Sequence, residues 1–290
     1  MQQDVTFQSD GNTLAGTVHV PDDLAPGERP AVIMMHGFGA NRNGGPAWFC
    51  GQLAAWGYVA LRIDFRGCGE SGGERGRVIP MEEVADARNA LTYLAGRPEV
   101  DPQRIALAGS SLGAGVAIHA AAVDSRVAAV ILENAVAGER TIRGMHSAES
   151  WEQFLNRMET GLEARTRGEV DAKIHRFDIF EMPKHLQVNL RSNNSLMEFS
   201  ADTPAAFFMF RPEDMIAKVA PRPILILHSA GDKVCTAEEA FNLARLAKPP
   251  VELHLMDGAN HFLFVDPDPR IAVMLRTWLD RFFPVKASSS

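Results

Sequence analysis

A serine, an aspartate and a histidine in this chain stand where nucleophilic chemistry needs them. Ser111 is the centre of Gly109-Ser110-Ser111-Leu112-Gly113, directly after the apolar run Arg104-Ile105-Ala106-Leu107-Ala108 and before a helical pattern at 114–123. Small residues around a serine at a strand-to-helix junction permit a sharp turn that lifts the hydroxyl clear of a sheet edge. A serine hydroxyl is a weak nucleophile without a base, and an imidazole base needs a carboxylate to orient it. His261 lies in Asp257-Gly258-Ala259-Asn260-His261-Phe262, just past the run 251–256. Asp232 lies in His228-Ser229-Ala230-Gly231-Asp232, just past the run 224–227. Both positions follow strand C-termini, where open α/β sheets build their sites. Glu133 and Asp257 also end strands and are the alternative orienting acids; His228 is the alternative base.

The chemistry this predicts is acyl transfer. His261 takes the proton of Ser111 as Oγ attacks a carbonyl, and Asp232 orients the ring. The oxyanion then needs two N–H donors. One is Leu112 at the start of the helix; the other is Phe38 in His36-Gly37-Phe38-Gly39, with Gly37 as its alternative. The Phe38 ring is expected in the acyl pocket, and His36 is read as a structural hydrogen-bonding residue.

Positioning these groups takes a particular set of elements. The start alternates apolar and polar around Ser9-Asp10-Gly11-Asn12, which reads as a β-hairpin. Residues 21–30 are a loop rich in Pro, Asp and Gly. Short apolar runs at 31–35, 58–63, 105–108, 127–132, 224–227 and 251–256 then alternate with helical patterns, among them 237–246 and 270–283. Most of the runs are apolar on both faces, as strands of a covered parallel sheet must be. The expectation is a doubly wound, mostly parallel α/β sheet with an antiparallel N-terminal hairpin at one edge.

One stretch breaks this rhythm. Between the runs ending at 132 and starting at 224 lie about 90 residues, where a crossover needs roughly 30. Within it Trp151, Phe154, Leu155, Met158 and Leu162 form a helical stripe, and six of the twelve methionines fall between 137 and 220. We expect residues 137–212 to form a helical lid, with Trp151, Phe154 and Met158 joining Phe38 in the substrate pocket. The catalytic core is then 1–136 and 213–284, and 285–290 is a disordered tail. The insert is also a surface through which two copies could pair as a homodimer.

Composition narrows the classes. With 290 residues, 46% hydrophobic and 22% charged, the chain is long enough for one large domain or a domain with an insertion. A net charge of -7 and a pI near 5.7 argue against nucleic acid as the partner. Cys50, Cys68 and Cys235 are too few and too scattered for a disulfide framework or a zinc site. No apolar run reaches a membrane span, and no signal-peptide pattern opens the chain, so a cytoplasmic protein is expected. No metal or cofactor is expected: Asp64, Asp232 and His261 are not at ligand spacing, and Gly67–Gly73 lacks the lysine of a phosphate loop.

Asp64-Phe65-Arg66-Gly67-Cys68-Gly69-Glu70-Ser71-Gly72 resembles the D-x-R-G-x-G-x-S stretch of the α/β-hydrolase superfamily. With the HGFG, GSSLG, GDKV and NHF segments, the resemblance spans about residues 5–135 and 213–284. It is strongest to the branch of dienelactone hydrolase-like and feruloyl-esterase-like enzymes and acyl-peptidase catalytic domains. The order Ser111, Asp232, His261 is also that of the superfamily. The resemblance implies a serine hydrolase, carboxylesterase-like, acting on a small to medium, partly apolar acyl compound. Thioester, amide and C–C bond cleavage by the same triad stay open, as does a non-catalytic binding protein. Dienelactone hydrolases proper use a cysteine nucleophile, whereas this chain has Ser111.

Overall fold

The computed structural model describes residues 1–22, 28–169, 173–265 and 267–285. The tail at 286–290 and the middle of the loop at 21–30 lie outside the described residues. The opening alternation forms β1 (Gln2–Ser9) and β2 (Asn12–His19). Between them Asp10 (φ 45°) and Gly11 (φ 83°) both take the left-handed region that a tight hairpin turn requires.

Strand and helix then alternate as β3 (Arg29–Met35), α1 (Gly45–Ala55), β4 (Val59–Ile63), α2 (Pro80–Ala95), β5 (Val100–Ser110), α3 (Leu112–Val123) and β6 (Val127–Glu133). The long segment that follows holds α4 (Glu139–Met145), α5 (Ala148–Thr166), β7 (Ile174–His175), α6 (Arg176–Ile179), α7 (Lys184–Ser192), β8 (Glu198–Phe199) and α8 (Asp202–Phe208). The chain closes with β9 (Ile224–Ser229), α9 (Ala237–Leu246), β10 (Val251–Met256) and α10 (Pro269–Phe282).

Among the described residues the main sheet has eight strands in the order β1-β2-β4-β3-β5-β6-β9-β10. The first two pairings are antiparallel and all the others are parallel. Both faces of the sheet are covered, which explains the unbroken apolar runs. On β3, Val32 and Met34 pack with Phe49, Leu53, Leu275 and Trp278 of α1 and α10. Their neighbours Ile33 and Met35 join Val84, Leu91, Val116 and Ile118 of α2 and α3 on the opposite face. Each such side chain contributes about 1.5–3 kcal/mol by leaving water. β3 lies between β4 and β5, and the chain passes from β3 to β4 on one side and then crosses back over β3 to β5 on the other, so a crevice opens at the C-termini of β3 and β5.

The segment after β6 is largely helical but not wholly so. β7 and β8 form a two-residue antiparallel ladder, Ile174 opposite Phe199 and His175 opposite Glu198. Two residues per strand carry no readable periodicity, and the ladder forms only because the chain doubles back. No helix among the described residues is long and apolar enough to cross a membrane.

Candidate active site

Ser111 sits between β5 and α3 with φ 55° and ψ −114°. A non-glycine residue held there stores about 1–3 kcal/mol of strain and needs its surroundings to enforce it. Two contacts do so. The Ser111 N–H donates to the Glu133 carbonyl at 2.8 Å, and the Ser111 carbonyl accepts from the N–H of Ala114 at 3.1 Å. The flanking glycines are demanded by space: a Cβ on Gly109 would lie 2.1 Å from the Gly113 carbonyl oxygen, and one on Gly113 would lie 2.6 Å from the carbonyl oxygens of Met35 and His36. Gly113→Ala should therefore cost about 3 kcal/mol or more. The corresponding fall in Tm is roughly 10 °C, measurable by calorimetry. An unchanged Tm would remove the steric argument.

The three residues singled out by type and spacing meet in space. His261 Nε2 is 3.2 Å from Ser111 Oγ, and His261 Nδ1 is 2.7 Å from Asp232 Oδ2. The other Asp232 oxygen accepts from the N–H groups of Val234 (2.7 Å) and Cys235 (3.2 Å), which pins the carboxylate plane. All but Ser111 are buried. Burial alone would push the Asp232 carboxyl up, but the His261 charge, their hydrogen bond and the two N–H groups hold it below its ordinary value. Burial alone would depress His261, yet the Asp232 charge, their hydrogen bond and the Glu133 charge raise it. With Asp232 ionised, Nδ1 carries the ring proton and Nε2 is left to accept from Ser111.

The rival acids and base are placed elsewhere. Glu133 Oε1 accepts from the Leu263 N–H at 2.9 Å, anchoring the histidine loop from behind. Burial pushes its carboxyl up to about 7. Asp257 is exposed, and its carbonyl accepts from Arg270. His228 bonds the Cys235 carbonyl at 2.9 Å. Asp232, Cys235 and His261 bring ligand-type atoms within 4.8 Å of one another. Burial holds the Cys235 thiol well above its ordinary pKa, and the other two residues are bonded to each other, so the donor set suits a metal poorly.

A residue that spacing did not single out joins the two loops. Asn134, at φ 44°, donates to the His261 carbonyl at 2.9 Å and accepts from the Ser229 N–H at 2.8 Å. Ser229 Oγ in turn donates to the Asn260 carbonyl at 2.5 Å. The ends of β6, β9 and β10 are thus tied into one frame. Only the positive φ marks Asn134, and a sequence does not display it.

The loop after β3 faces Ser111. A Cβ on Gly37 would lie 3.1 Å from Ser111 Cβ and 3.7 Å from its Oγ, so any side chain there would crowd Ser111. The Gly37 carbonyl accepts from His36 Nδ1 (2.8 Å) and from the Ala40 N–H (3.1 Å). A planar trans peptide then directs the Phe38 N–H away from those donors. His36 Nε2 accepts from the Phe65 N–H at 3.2 Å, so its ring is a neutral clasp between β3 and β4, as expected. The Asp64–Gly72 motif is scaffold below it. Asp64 accepts from the N–H groups of Arg42 (2.6 Å) and Glu70 (2.9 Å), and Ser71 Oγ donates to the Asp64 carbonyl at 2.6 Å.

Ser111, Phe38, Glu133 and His261 line a mostly apolar cavity of about 90 Å³ with Phe180, Met182, Leu190 and Arg176 from the segment after β6. The expected pocket residues Trp151, Phe154 and Met158 are not among those lining it. α5 turns its stripe onto α8, with Trp151 and Phe154 ring centroids 5.6 and 6.2 Å from Phe208. The stripe is consumed by the segment's own packing. The wall comes instead from residues around α6 and α7. Phe38 does line this cavity, its ring 4.9 Å from Phe180 and 4.3 Å from Phe199.

The family model described as Serine aminopeptidase, S33 matches residues 27–268. The chain is 26% identical over 278 residues to Polyketide transferase ATR5 from Stachybotrys chlorohalonatus, covering 90% of each chain. It is 26% identical over 275 residues to Thiohydrolase aneE from Aspergillus aculeatus, covering 87% of this chain and 83% of that relative. Among solved structures, Alpha/beta hydrolase GrgF from Penicillium sp. sh18 superposes with a TM-score of 0.85 at 23% identity, covering 97% of this chain and 99% of that one. At that identity the likeness establishes the fold.

Proposed function

Because the chain belongs to the S33 serine aminopeptidase family of α/β hydrolases, we propose that it cleaves acyl bonds of small carboxylic esters or thioesters through an acyl-enzyme on Ser111. The observation that carries this reading is the connected chain from Ser111 Oγ through His261 to Asp232, at 3.2 and 2.7 Å, opening into an apolar cavity. Ser111 Oγ attacks the carbonyl carbon while its proton passes to His261 Nε2. The Phe38 and Leu112 N–H groups receive the oxyanion, the second of them favoured by the positive end of α3. Collapse expels the leaving group, protonated by His261; water, deprotonated by the same ring, then releases the acid.

The cavity disfavours a peptide's ammonium terminus, since Arg176 lines it and its one acidic lining residue among those described, Glu133, bonds Leu263 and is readily neutralised. Its size, about 90 Å³, favours a short acyl group over a long chain. We read residues 137–212 as the lid that supplies this limit. The names of the relatives, a thiohydrolase and a polyketide transferase, favour a thioester as the second reading of the leaving group.

An acyl panel tests this. Paired oxygen esters and thioesters from acetyl to decanoyl should show kcat/KM for the short chains about tenfold or more above octanoyl, since a methylene with no room costs roughly that much. A pre-steady-state burst of leaving group should accompany turnover. Turnover of none of the panel, or a preference for the longest chains, would contradict the reading.

A further inference from the structure

The cavity wall carries a cation, Arg176, that pairs with no carboxylate among the described residues. Arg176 begins α6, is buried, and lines the same cavity as Ser111. Its Nε donates to the Leu196 carbonyl at 2.7 Å and its Nη2 to the Phe38 carbonyl at 2.8 Å. The guanidinium stacks against the Phe38 and Phe199 rings at 5.3 and 5.2 Å. Two of its five N–H donors are thus spent on backbone carbonyls, and no carboxylate pairs with it among the described residues. Among the described residues, the acids nearest in sequence on its C-terminal side are engaged elsewhere: Asp178 pairs with Arg157, and Glu181 accepts from Ser150.

A buried ion without a counter-ion carries an uncompensated desolvation penalty, so an arginine that pairs with no described carboxylate in a mostly apolar wall needs a reason. Burial lowers its pKa to about 9, and the group stays cationic at neutral pH. Its two backbone bonds fix the plane of the guanidinium and tie it to the loop bearing Phe38. The three remaining hydrogens, two on Nη1 and one on Nη2, form a fork of the kind that carboxylates accept.

We propose that Arg176 is a recognition site for a carboxylate on the acyl part of the substrate, which makes the preferred substrate a monoester or monothioester of a short dicarboxylic acid. The substrate's anion supplies the charge the wall lacks, and its acyl carbonyl is presented to Ser111 one pocket width away. This deepens the acyl-hydrolase reading and rests on it.

The test compares two substrates that share one acyl chain: 4-nitrophenyl hydrogen glutarate and its methyl-capped, uncharged counterpart, each corrected for spontaneous hydrolysis. A charge-assisted contact should favour the anionic ester by about tenfold or more in kcat/KM, chiefly through KM. Arg176→Gln should lower that ratio by a similar factor, and Arg176→Lys should restore part of it. A parent protein that shows no preference for the anionic ester overturns the proposal by itself, with no variant required. An anionic preference that survives Arg176→Gln overturns it equally. If neither ester turns over and a phosphonate fails to label Ser111, the acyl-hydrolase reading falls first and takes this one with it; turnover of the capped ester alone removes only the role of Arg176.

Discussion

Replacing Ser111 with alanine is expected to lower kcat by about 10⁵-fold or more while leaving Tm within a few degrees of the parent. The size follows from the chemistry: without Oγ there is no acyl-enzyme, and water at the same point lacks the geometry and the proton path that His261 provides. The small change in Tm follows from the site's place outside the core, since Ser111 is only partly buried and, among the described residues, its hydroxyl bonds only His261. Backbone conformation adds a second, independent expectation. At φ 55° the serine is strained, and glycine is not. Ser111→Gly should therefore be more stable than Ser111→Ala by about 1 kcal/mol while equally inactive. Turnover near the parent level in Ser111→Ala would exclude Ser111 as nucleophile.

Asp232→Asn is the second large effect. An amide in place of the carboxylate that meets Nδ1 favours the wrong imidazole tautomer and cannot stabilise the imidazolium, a loss of about 10⁴-fold in kcat in a comparable triad. Glu133→Gln should cost less than about tenfold, because the amide oxygen still accepts from Leu263 and the reacting ring is untouched. The pH profile separates the two further. Activity requires neutral His261, so kcat/KM falls as pH drops through its pKa. That pKa is raised above the ordinary value of about 6.5 by Asp232 and Glu133, against the pull of burial. Removing either charge moves the acid limb to lower pH, and Asp232→Asn moves it farther. Equal losses in the two variants, or a greater loss in Glu133→Gln, would reassign the orienting acid.

The parts of the site that a sequence displays are those set by local geometry. Ser111 is legible because a tight turn between strand and helix needs small residues at 109 and 113, and composition records that need. Asp232 and His261 are legible because strand ends in a parallel sheet converge on one edge. The same logic made both faces of β3 apolar and so revealed the fold. The cavity wall was not legible, because tertiary docking decides it. The α5 stripe at Trp151, Phe154 and Met158 has the period of a buried face but not the address of what buries it, and Phe208 takes it. Arg176 and Phe180 sit in a segment too short to show a period, and the β7–β8 ladder and the turns around it carry them to the site; Leu190 shares a helical face with Leu186 on α7, but that period does not say what the face meets. Asn134 contributes through a left-handed backbone that leaves no compositional trace.

In the proposed reaction the Ser111 hydroxyl, activated by His261, is the nucleophile. A fluorophosphonate reacts only with a serine so activated, and peptide mass mapping locates the adduct. One equivalent of adduct is expected on the peptide carrying Ser111, abolished in Ser111→Ala and strongly slowed in His261→Ala. An adduct on Ser110 or another serine, or labelling indifferent to His261, would contradict it.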